Sequence, residues 1–250
     1  MNRPFCISMT CWCLLQLVAT EVKSQEPSTR PSKPNAPAAQ SSARPNPLLA
    51  SIEDKPGLPR VLLIGDSISI GYTLAVRDQL KDVANVHRIP TNGGPTTNGI
   101  KNLKKWLGDK KWDVIHFNWG LHDLKYIQDD ASKLADPKAP GSHHQVSLSE
   151  YEKNLRELVS QLKDSGAQLI WCSTTPVPEG AAGRVPGDEI KFNEVAFRVM
   201  KDTGVRINDL YGHAMSKSNI QMPANVHYDA AGSEFLATKV SSEIKACLSK

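Results

Sequence analysis

Cysteine is scarce in this sequence, with five residues among 250. Three of them, Cys6, Cys11 and Cys13, lie in an apolar stretch at the amino terminus, which leaves Cys172 and Cys247 for the rest of the chain. Two cysteines cannot form the framework of several disulfides that holds many small secreted domains together. Cys172 lies in an apolar, strand-like run, so we expect it to be a buried free thiol.

Long apolar runs and concentrated positive charge are missing as well. After the amino-terminal stretch, no run approaches the roughly 20 apolar residues that a membrane-spanning helix needs. The net charge of +4 is spread along the chain, no block of Lys and Arg is interleaved with aromatics, and aromatics make up only 6% of the residues. We therefore expect neither nucleic acid as a partner nor a stable membrane span once a signal is cleaved.

The amino-terminal residues have the pattern of a secretory signal. Arg3 precedes an apolar core, Phe5 to Ala19, that is too short to span a bilayer comfortably. Val22 and Ser24 fit the −3 and −1 positions of a cleavage site, and the alternative is an uncleaved anchor. We expect a signal peptide over 1–24 and a secreted or periplasmic protein.

Residues 25–57 are rich in Pro, Ser and Ala and almost free of aromatics. Such a segment buries too little apolar surface to offset its ordering entropy, so we expect a disordered linker. The folded domain is then expected over 58–250, and no internal repeat is visible in it.

From Pro59 onward, apolar strand-like runs alternate with amphipathic helical patterns. The five strand-like runs are RVLLIGD (60–66), VANVHRI (83–89), WDVIHFNW (112–119), AQLIWCST (167–174) and VRINDLY (205–211). The clearest helix is 148–166, where Ser149 and Glu152 have capping-box spacing. This alternation predicts an α/β fold, with a parallel sheet of about five strands covered by helices on both faces.

Ligand sites in such folds lie at the carboxyl ends of the strands. Polar and small residues follow four of the predicted strands, and another polar group precedes the last helix. These groups are Gly65-Asp66-Ser67, Asn92-Gly93-Gly94, Asn118 to Asp123, Ser173 to Thr175, and NVHYD (225–229). They are far apart in sequence, and the topology is expected to bring them together.

Ser67 is the candidate nucleophile, placed where a strand turns into a helix. A serine hydroxyl attacks efficiently only when a base removes its proton, and neutral histidine is the usual base, which makes His227 the candidate partner. Each signal has a simpler alternative when it is viewed alone. Ser67 fits a helix cap, Asn92 to Gly94 fits an ordinary turn, and His122 and His227 fit solvated surface residues.

Together, GDS, NGG with Thr96, Gly120-Leu121-His122-Asp123 and the late Val-His pair resemble the SGNH, or GDSL, hydrolase family over the chain from about Pro59 to the end. The resemblance implies a flavodoxin-like three-layer α/β/α sandwich and ester hydrolysis through a serine acyl-enzyme. It also implies Ser67 as nucleophile and His227 as general base. The N–H groups of Ser67 and Gly94 would be two arms of the oxyanion hole.

The chain departs from the family pattern at two places. His122 stands where the family usually has an Asn that supplies the third oxyanion donor, and Asn118 is a competing donor. The family also places an Asp three residues before its His, where this chain has Ala224. His227 would then be oriented by a backbone carbonyl, by Asn225, or by Asp229 if the loop is rearranged.

The expected function is a secreted serine esterase acting on acyl esters, such as acetyl esters, of small molecules or carbohydrates. The expected mechanism needs no cofactor and no metal. A His143-His144 metal site is a weaker alternative, in the stretch 125–149 that we interpret as a substrate loop or lid. The rival function is a catalytically weakened domain that binds carbohydrate or another surface. The sequence leaves the oligomeric state open.

Overall fold

The computed structural model describes residues 46–128 and 133–249. Its strands are β1 (Arg60–Ile64), β2 (Asn85–Arg88), β3 (Val114–Phe117), β4 (Tyr126–Ile127), β5 (His143–His144), β6 (Gln168–Cys172) and β7 (Arg206–Asn208). Its helices are α1 (Ser67–Gln79), α2 (Thr96–Leu107), α3 (Leu148–Asp164), α4 (Asp188–Thr203), α5 (Leu210–Met215) and α6 (Ala230–Leu248).

The central sheet contains five strands in the order β2-β1-β3-β6-β7, and every neighbouring pair is parallel. Its middle strands are buried along nearly their whole length, as in Val61–Ile64 and Val114–Phe117. Continuous apolar strands are typical of parallel sheets that are covered on both faces. The predicted parallel sheet of about five strands is confirmed.

Helices cover both faces of this sheet. α1 and α6 pack together with α5 beside α6, while α2, α3 and α4 pack side by side in a second group. The three layers are therefore α/β/α, as predicted. This arrangement puts the β1–α1, β2–α2 and β3 loops at one edge of the sheet, because all five strands run in the same direction.

Two local predictions were wrong in detail. α3 begins at Leu148, and its cap is Ser147, whose hydroxyl accepts from the Glu150 N–H. Ser147 and Glu150 have the same Ser-x-x-Glu spacing as the predicted capping pair, and the spacing alone could not separate the two registers. The last strand ends at Asn208 and not at Tyr211, because Asp209 caps the short helix α5.

The predicted linker overlaps the folded domain at its carboxyl end. The Ala50 carbonyl accepts from Arg77, the Lys55 N–H donates to Asn85 Oδ1 at 2.8 Å, and Asp54 pairs with Arg60 at 3.0 Å. These contacts tie residues 50–57 to the domain, which therefore begins before the predicted boundary at 58. They were missed because their partners lie far along the chain.

The predicted signal peptide, 1–24, and the linker up to residue 45 lie outside the described residues. In the described ranges, none of the helices combines the length and the apolar character needed to cross a bilayer.

Candidate active site

Ser67 lies directly after β1, as the first residue of α1. The preceding residue, Asp66, is the helix cap, because its side-chain Oδ1 accepts from the Ile68 N–H at 2.9 Å. The alternative interpretation of Ser67 as a cap is therefore wrong. Ser67 is half-buried and its hydroxyl is free to contact another group.

His227 meets Ser67 although the two are 160 positions apart. Its ring Nε2 lies 2.8 Å from Ser67 Oγ, a normal hydrogen-bond distance. The ring itself is exposed to solvent. The structure thus brings together the predicted nucleophile and the predicted base, at the carboxyl edge of the sheet.

Asn225 holds the opposite side of the imidazole. Its Oδ1 lies 2.7 Å from His227 Nδ1 and 3.1 Å from the His227 backbone nitrogen. A backbone N–H can only donate, so the amide atom facing it must be the oxygen, and Nδ1 must then carry the ring proton. Nε2 is left with its lone pair toward Ser67, which is the tautomer a general base needs.

The sharp turn Met222–Asn225 places Asn225 under the ring. The Met222 N–H donates to the His227 carbonyl at 2.9 Å, and the Asn225 N–H donates to the Met222 carbonyl at 3.2 Å. Pro223 and Ala224 are the two central residues of this turn, and Ala224 has a φ of +51°. Pro followed by a residue with positive φ is typical of a type II turn. The position where the family usually has Asp is thus occupied by a residue that shapes the turn.

Asp229, the other candidate for orienting His227, has a different role. Its Oδ1 accepts from the Gly232 N–H at 2.7 Å and caps α6. Among the predicted orienting residues, the described contacts to the imidazole come from Asn225.

The predicted backbone donors of the oxyanion hole differ in availability. The Ser67 N–H is in the first turn of α1, where the helix supplies no acceptor for it. The Gly94 N–H instead donates to Asn92 Oδ1 at 2.8 Å, so it is already engaged. The loop is held close to the serine turn by Gly93, whose N–H donates to the Gly65 carbonyl at 2.9 Å. A Cβ on Gly93 would lie 3.0 Å from that same oxygen.

The Asn118 side chain has a structural role. Its side-chain amide donates to the Cys172 carbonyl at 2.7 Å, bridging the ends of β3 and β6, and the residue is buried. Cys172 is itself a buried thiol, as predicted. Since one of its two N–H groups is used in this bridge, Asn118 is a weaker candidate for an oxyanion donor than the sequence alone suggested.

His122 lies in the loop after β3 and is largely shielded from solvent. Burial lowers the pKa of its ring, and the positive charges of Lys125 and Arg184 lower it further, while Asp66 acts in the opposite direction. The ring is therefore neutral at neutral pH. A neutral imidazole still carries one N–H that can donate to a substrate oxygen.

Asp123 anchors this loop to α2. Its Oδ1 accepts from the Thr96 N–H at 2.8 Å and from the Thr96 hydroxyl at 2.5 Å, and Asn154 donates to the same hydroxyl. Complete burial raises the pKa of the Asp123 carboxyl to about 7, partly offset by these hydrogen bonds. The Asp123 side chain serves as the cap that Pro95, at the start of α2, cannot provide.

The predicted substrate loop, 125–149, contains a small antiparallel hairpin in which Tyr126 pairs with His144. His144 Nε2 lies 2.9 Å from Asp188 Oδ2, and His143 Nδ1 contacts the His144 carbonyl. Within the described residues, no group of three or more potential metal ligands is found. The two adjacent histidines are explained by these contacts.

Sequence reasoning missed two cations beside His122. Lys125 is 9% exposed and Arg184 is half-buried, and both act on the His122 ring. No spacing in the sequence links them, because Arg184 reaches the site from the loop before α4.

Comparison of the sequence with protein-family models gives no match, and comparison with curated proteins gives none either. Solved structures do match. A lipase/acylhydrolase from Enterococcus faecalis is 17% identical with a TM-score of 0.61, covering 76% of this chain and 96% of its own. The acetylxylan esterase Axe2 from Geobacillus stearothermophilus is 18% identical with a TM-score of 0.58, covering 74% and 94%.

A GDSL-like lipase from Bacteroides thetaiotaomicron is 13% identical with a TM-score of 0.56, covering 75% of this chain and 88% of its own. The chain therefore has the three-layer α/β/α fold of the SGNH, or GDSL, hydrolases.

Proposed function

We propose that this protein is a serine ester hydrolase of the SGNH type. The observation that carries the proposal is the contact of 2.8 Å between Ser67 Oγ and the unprotonated Nε2 of His227. A histidine in this tautomer, held by an acceptor on Nδ1, is prepared to remove the serine proton. The neighbouring structures support the proposal, because several are named as esterases or lipases.

The first half-reaction forms an acyl-enzyme. Ser67 Oγ attacks the ester carbonyl while His227 Nε2 takes the hydroxyl proton, and Asn225 Oδ1 stabilises the imidazolium through the Nδ1–H. The tetrahedral oxyanion receives hydrogen bonds from the Ser67 N–H and the His122 ring. Its collapse breaks the bond to the alcohol oxygen, which leaves with the proton from His227.

The second half-reaction regenerates the serine. His227 removes a proton from water, the resulting hydroxide attacks the acyl carbonyl, and Ser67 leaves with the proton returned by His227. The Gly94 N–H can join the oxyanion hole only if it leaves or shares its bond to Asn92. We propose that this exchange accompanies substrate binding.

As substrate we propose an acyl ester, specifically an acetyl ester on a carbohydrate. The support is the likeness to an acetylxylan esterase together with the secretory pattern at the amino terminus. The exposed imidazole suits a substrate that approaches from the surface. Export of the protein is part of the same proposal.

A non-catalytic binding module is the second candidate. It is favoured by Ala224 at the place of the family's carboxylate and by the engaged Gly94 N–H. In this alternative the Ser67 and His227 pair would be a remnant of an esterase that now binds carbohydrate.

Hydrolysis of p-nitrophenyl acetate by the purified protein separates the two functions, with Ser67→Ala as the matched variant. The proposal expects turnover that is lost in Ser67→Ala, and labelling of Ser67 by a fluorophosphonate probe. Equal rates in both proteins, with no labelling, would favour the binding module.

A further inference from the structure

Two cations, Lys125 and Arg184, lie beside the His122 ring, and within the described residues neither forms a salt bridge with a carboxylate. In the described ranges, the Lys125 ammonium has no hydrogen bond and no salt bridge, although the residue is only 9% exposed. Within the same described ranges, the Arg184 guanidinium donates to two backbone carbonyls, those of Leu121 at 3.1 Å and Ala182 at 3.3 Å, and to no carboxylate.

A nearby lysine shows the usual arrangement. Lys191 is much more exposed, and its ammonium lies 2.9 Å from the buried carboxylate of Asp188, which also contacts His144. The negative charge of Asp188 is thereby balanced by the neighbouring Lys191 ammonium. Lys125 is the more buried of the two lysines and has no such partner in the described structure.

The charges around His122 do not balance. The Tyr126 N–H donates to the Gly183 carbonyl at 2.7 Å, which brings the segment of Lys125 next to that of Arg184. Burial and the charge of Arg184 lower the pKa of Lys125, and no carboxylate of the described residues contacts its ammonium. Asp66 acts on both Arg184 and His122, but its Oδ1 is already used to cap α1. Among the described residues, two positive charges thus lie near one carboxylate, that of Asp66, which precedes Ser67 in the chain.

Removing cations from water without a counterion is costly, so a pair of cations that is largely shielded and has no salt-bridge partner in the described residues is suited to an anion that arrives with the ligand. We propose that Lys125 and Arg184 bind a carboxylate or sulfate that the ester substrate carries close to its scissile bond. The proposal rests on the esterase function and narrows its substrate class to acidic esters. Arg184 can contact two oxygens of such a group, and Lys125 adds a point charge.

A different role for the two cations would be direct stabilisation of the oxyanion. That role would raise the rate for every ester equally, whereas binding of a substrate anion raises it only for charged esters. Matched esters separate the two roles. Suitable ones are 4-acetoxybenzoate, 4-acetoxybenzenesulfonate and the neutral 4-acetoxybenzamide, which carry the same acetyl group on similar phenols.

The experiment measures kcat/KM for these esters in low-salt buffer with wild type, Lys125→Gln and the control Lys110→Gln. Lys110 is exposed in the loop before β3, at the amino edge of the sheet, and its replacement changes the net charge equally. We expect Lys125→Gln to lower the ratio of charged to neutral ester by about tenfold, which corresponds to about 1.4 kcal/mol. Lys110→Gln should leave the ratio unchanged, and Lys125→Arg should retain most of it.

Salt provides a second readout on the same proteins. About 0.5 M NaCl should reduce the wild-type preference and have little effect in Lys125→Gln, because added ions screen the attraction. The relative loss for the benzoate and the sulfonate tells which anion the pair prefers. An equal fall for charged and neutral esters in Lys125→Gln, or an unchanged ratio, would overturn the proposal.

Binding to Ser67→Ala keeps this test independent of catalysis. Calorimetry with intact 4-acetoxybenzoate should show binding that weakens in Ser67→Ala/Lys125→Gln, while 4-acetoxybenzamide binds weakly to both. If wild type hydrolyses no ester but this binding pattern holds, the esterase function fails and the anion site stands. If turnover is present without any charge preference, the anion site fails and the esterase stands.

Discussion

The loop of His227 and the loop of His122 approach the same end of the sheet, and they hold their histidines in opposite ways. The His227 ring is exposed, with both nitrogens engaged, one by Ser67 and the other by Asn225. The His122 ring is largely buried beside two cations, and no hydrogen bond to its ring occurs within the described residues.

This difference separates two chemical tasks. A general base must gain and lose a proton in each cycle, so solvent exposure and an acceptor on Nδ1 help it to carry the charge. An oxyanion donor must stay neutral and fixed, and burial with nearby positive charge keeps the His122 ring unprotonated. Substitution of either histidine, or of the residues that contact it, tests this difference.

The largest effect is expected for His227→Gln. We expect kcat/KM for p-nitrophenyl acetate to fall by about a thousandfold or more, since the serine then lacks its base. Ser67→Ala should fall to the same level, and the double variant should be no worse, because the two residues act as a unit. Retention of a tenth of the activity in His227→Gln would show that another group is the base.

Replacement of His122 is expected to cost less. Loss of one oxyanion donor in His122→Ala should lower kcat by about a hundredfold with little change in KM. His122→Asn should recover part of this rate, since the family usually has Asn at this place.

Asn118→Ala is the matched comparison for His122→Ala. It removes a buried hydrogen bond to the Cys172 carbonyl, so we expect a loss of about 1–3 kcal/mol in unfolding free energy. Its kcat should change less than that of His122→Ala. The opposite ranking of the two kcat values would make Asn118 the donor.

Asn225 is expected to affect the catalytic rate only through its contact with the His227 ring. Asn225→Ala leaves the imidazole free to rotate and to change tautomer, and we expect a loss of about tenfold to a hundredfold in kcat. Asn225→Asp keeps an acceptor toward Nδ1 and should restore most of the rate. If alanine and aspartate lower kcat equally, the contact does not orient the base.

The smallest effect concerns the protonation of His122. Its ring should titrate below the usual value of 6.5, and Lys125→Gln should move the pKa upward because one repelling charge is removed. Ring signals followed by NMR against pH measure both changes, with Lys110→Gln as the control.

The sign of the linked stability follows from the lowered pKa. Between the folded-state pKa and 6.5 the unfolded chain binds the proton more readily, so stability is present above 6.5 and is lost as pH falls through this window. A His122 pKa at or above 6.5 in the wild type would contradict the comparison of the two histidines.

Sequence patterns alone identified the parallel sheet, its helices and the edge at which polar residues gather. Continuous apolar strands and short-range periodicity are local properties, and the strand direction fixes which loops share an edge. The same patterns singled out Ser67 and His227, whose roles stay predictions. The patterns misplaced the cap of α3 and the end of β7, because side-chain hydrogen bonds decide such boundaries.

Only the tertiary structure decided how the side chains in the site are used. It assigned the cap of α1 to Asp66, committed Asn118 to Cys172 and Asp229 to α6, and placed Asn225 against His227. It also brought Lys125 and Arg184 to one ring from distant loops. Hydrogen bonds and unmatched charges depend on angstrom-scale distances between segments far apart in sequence, and such distances exist only once the chain has folded.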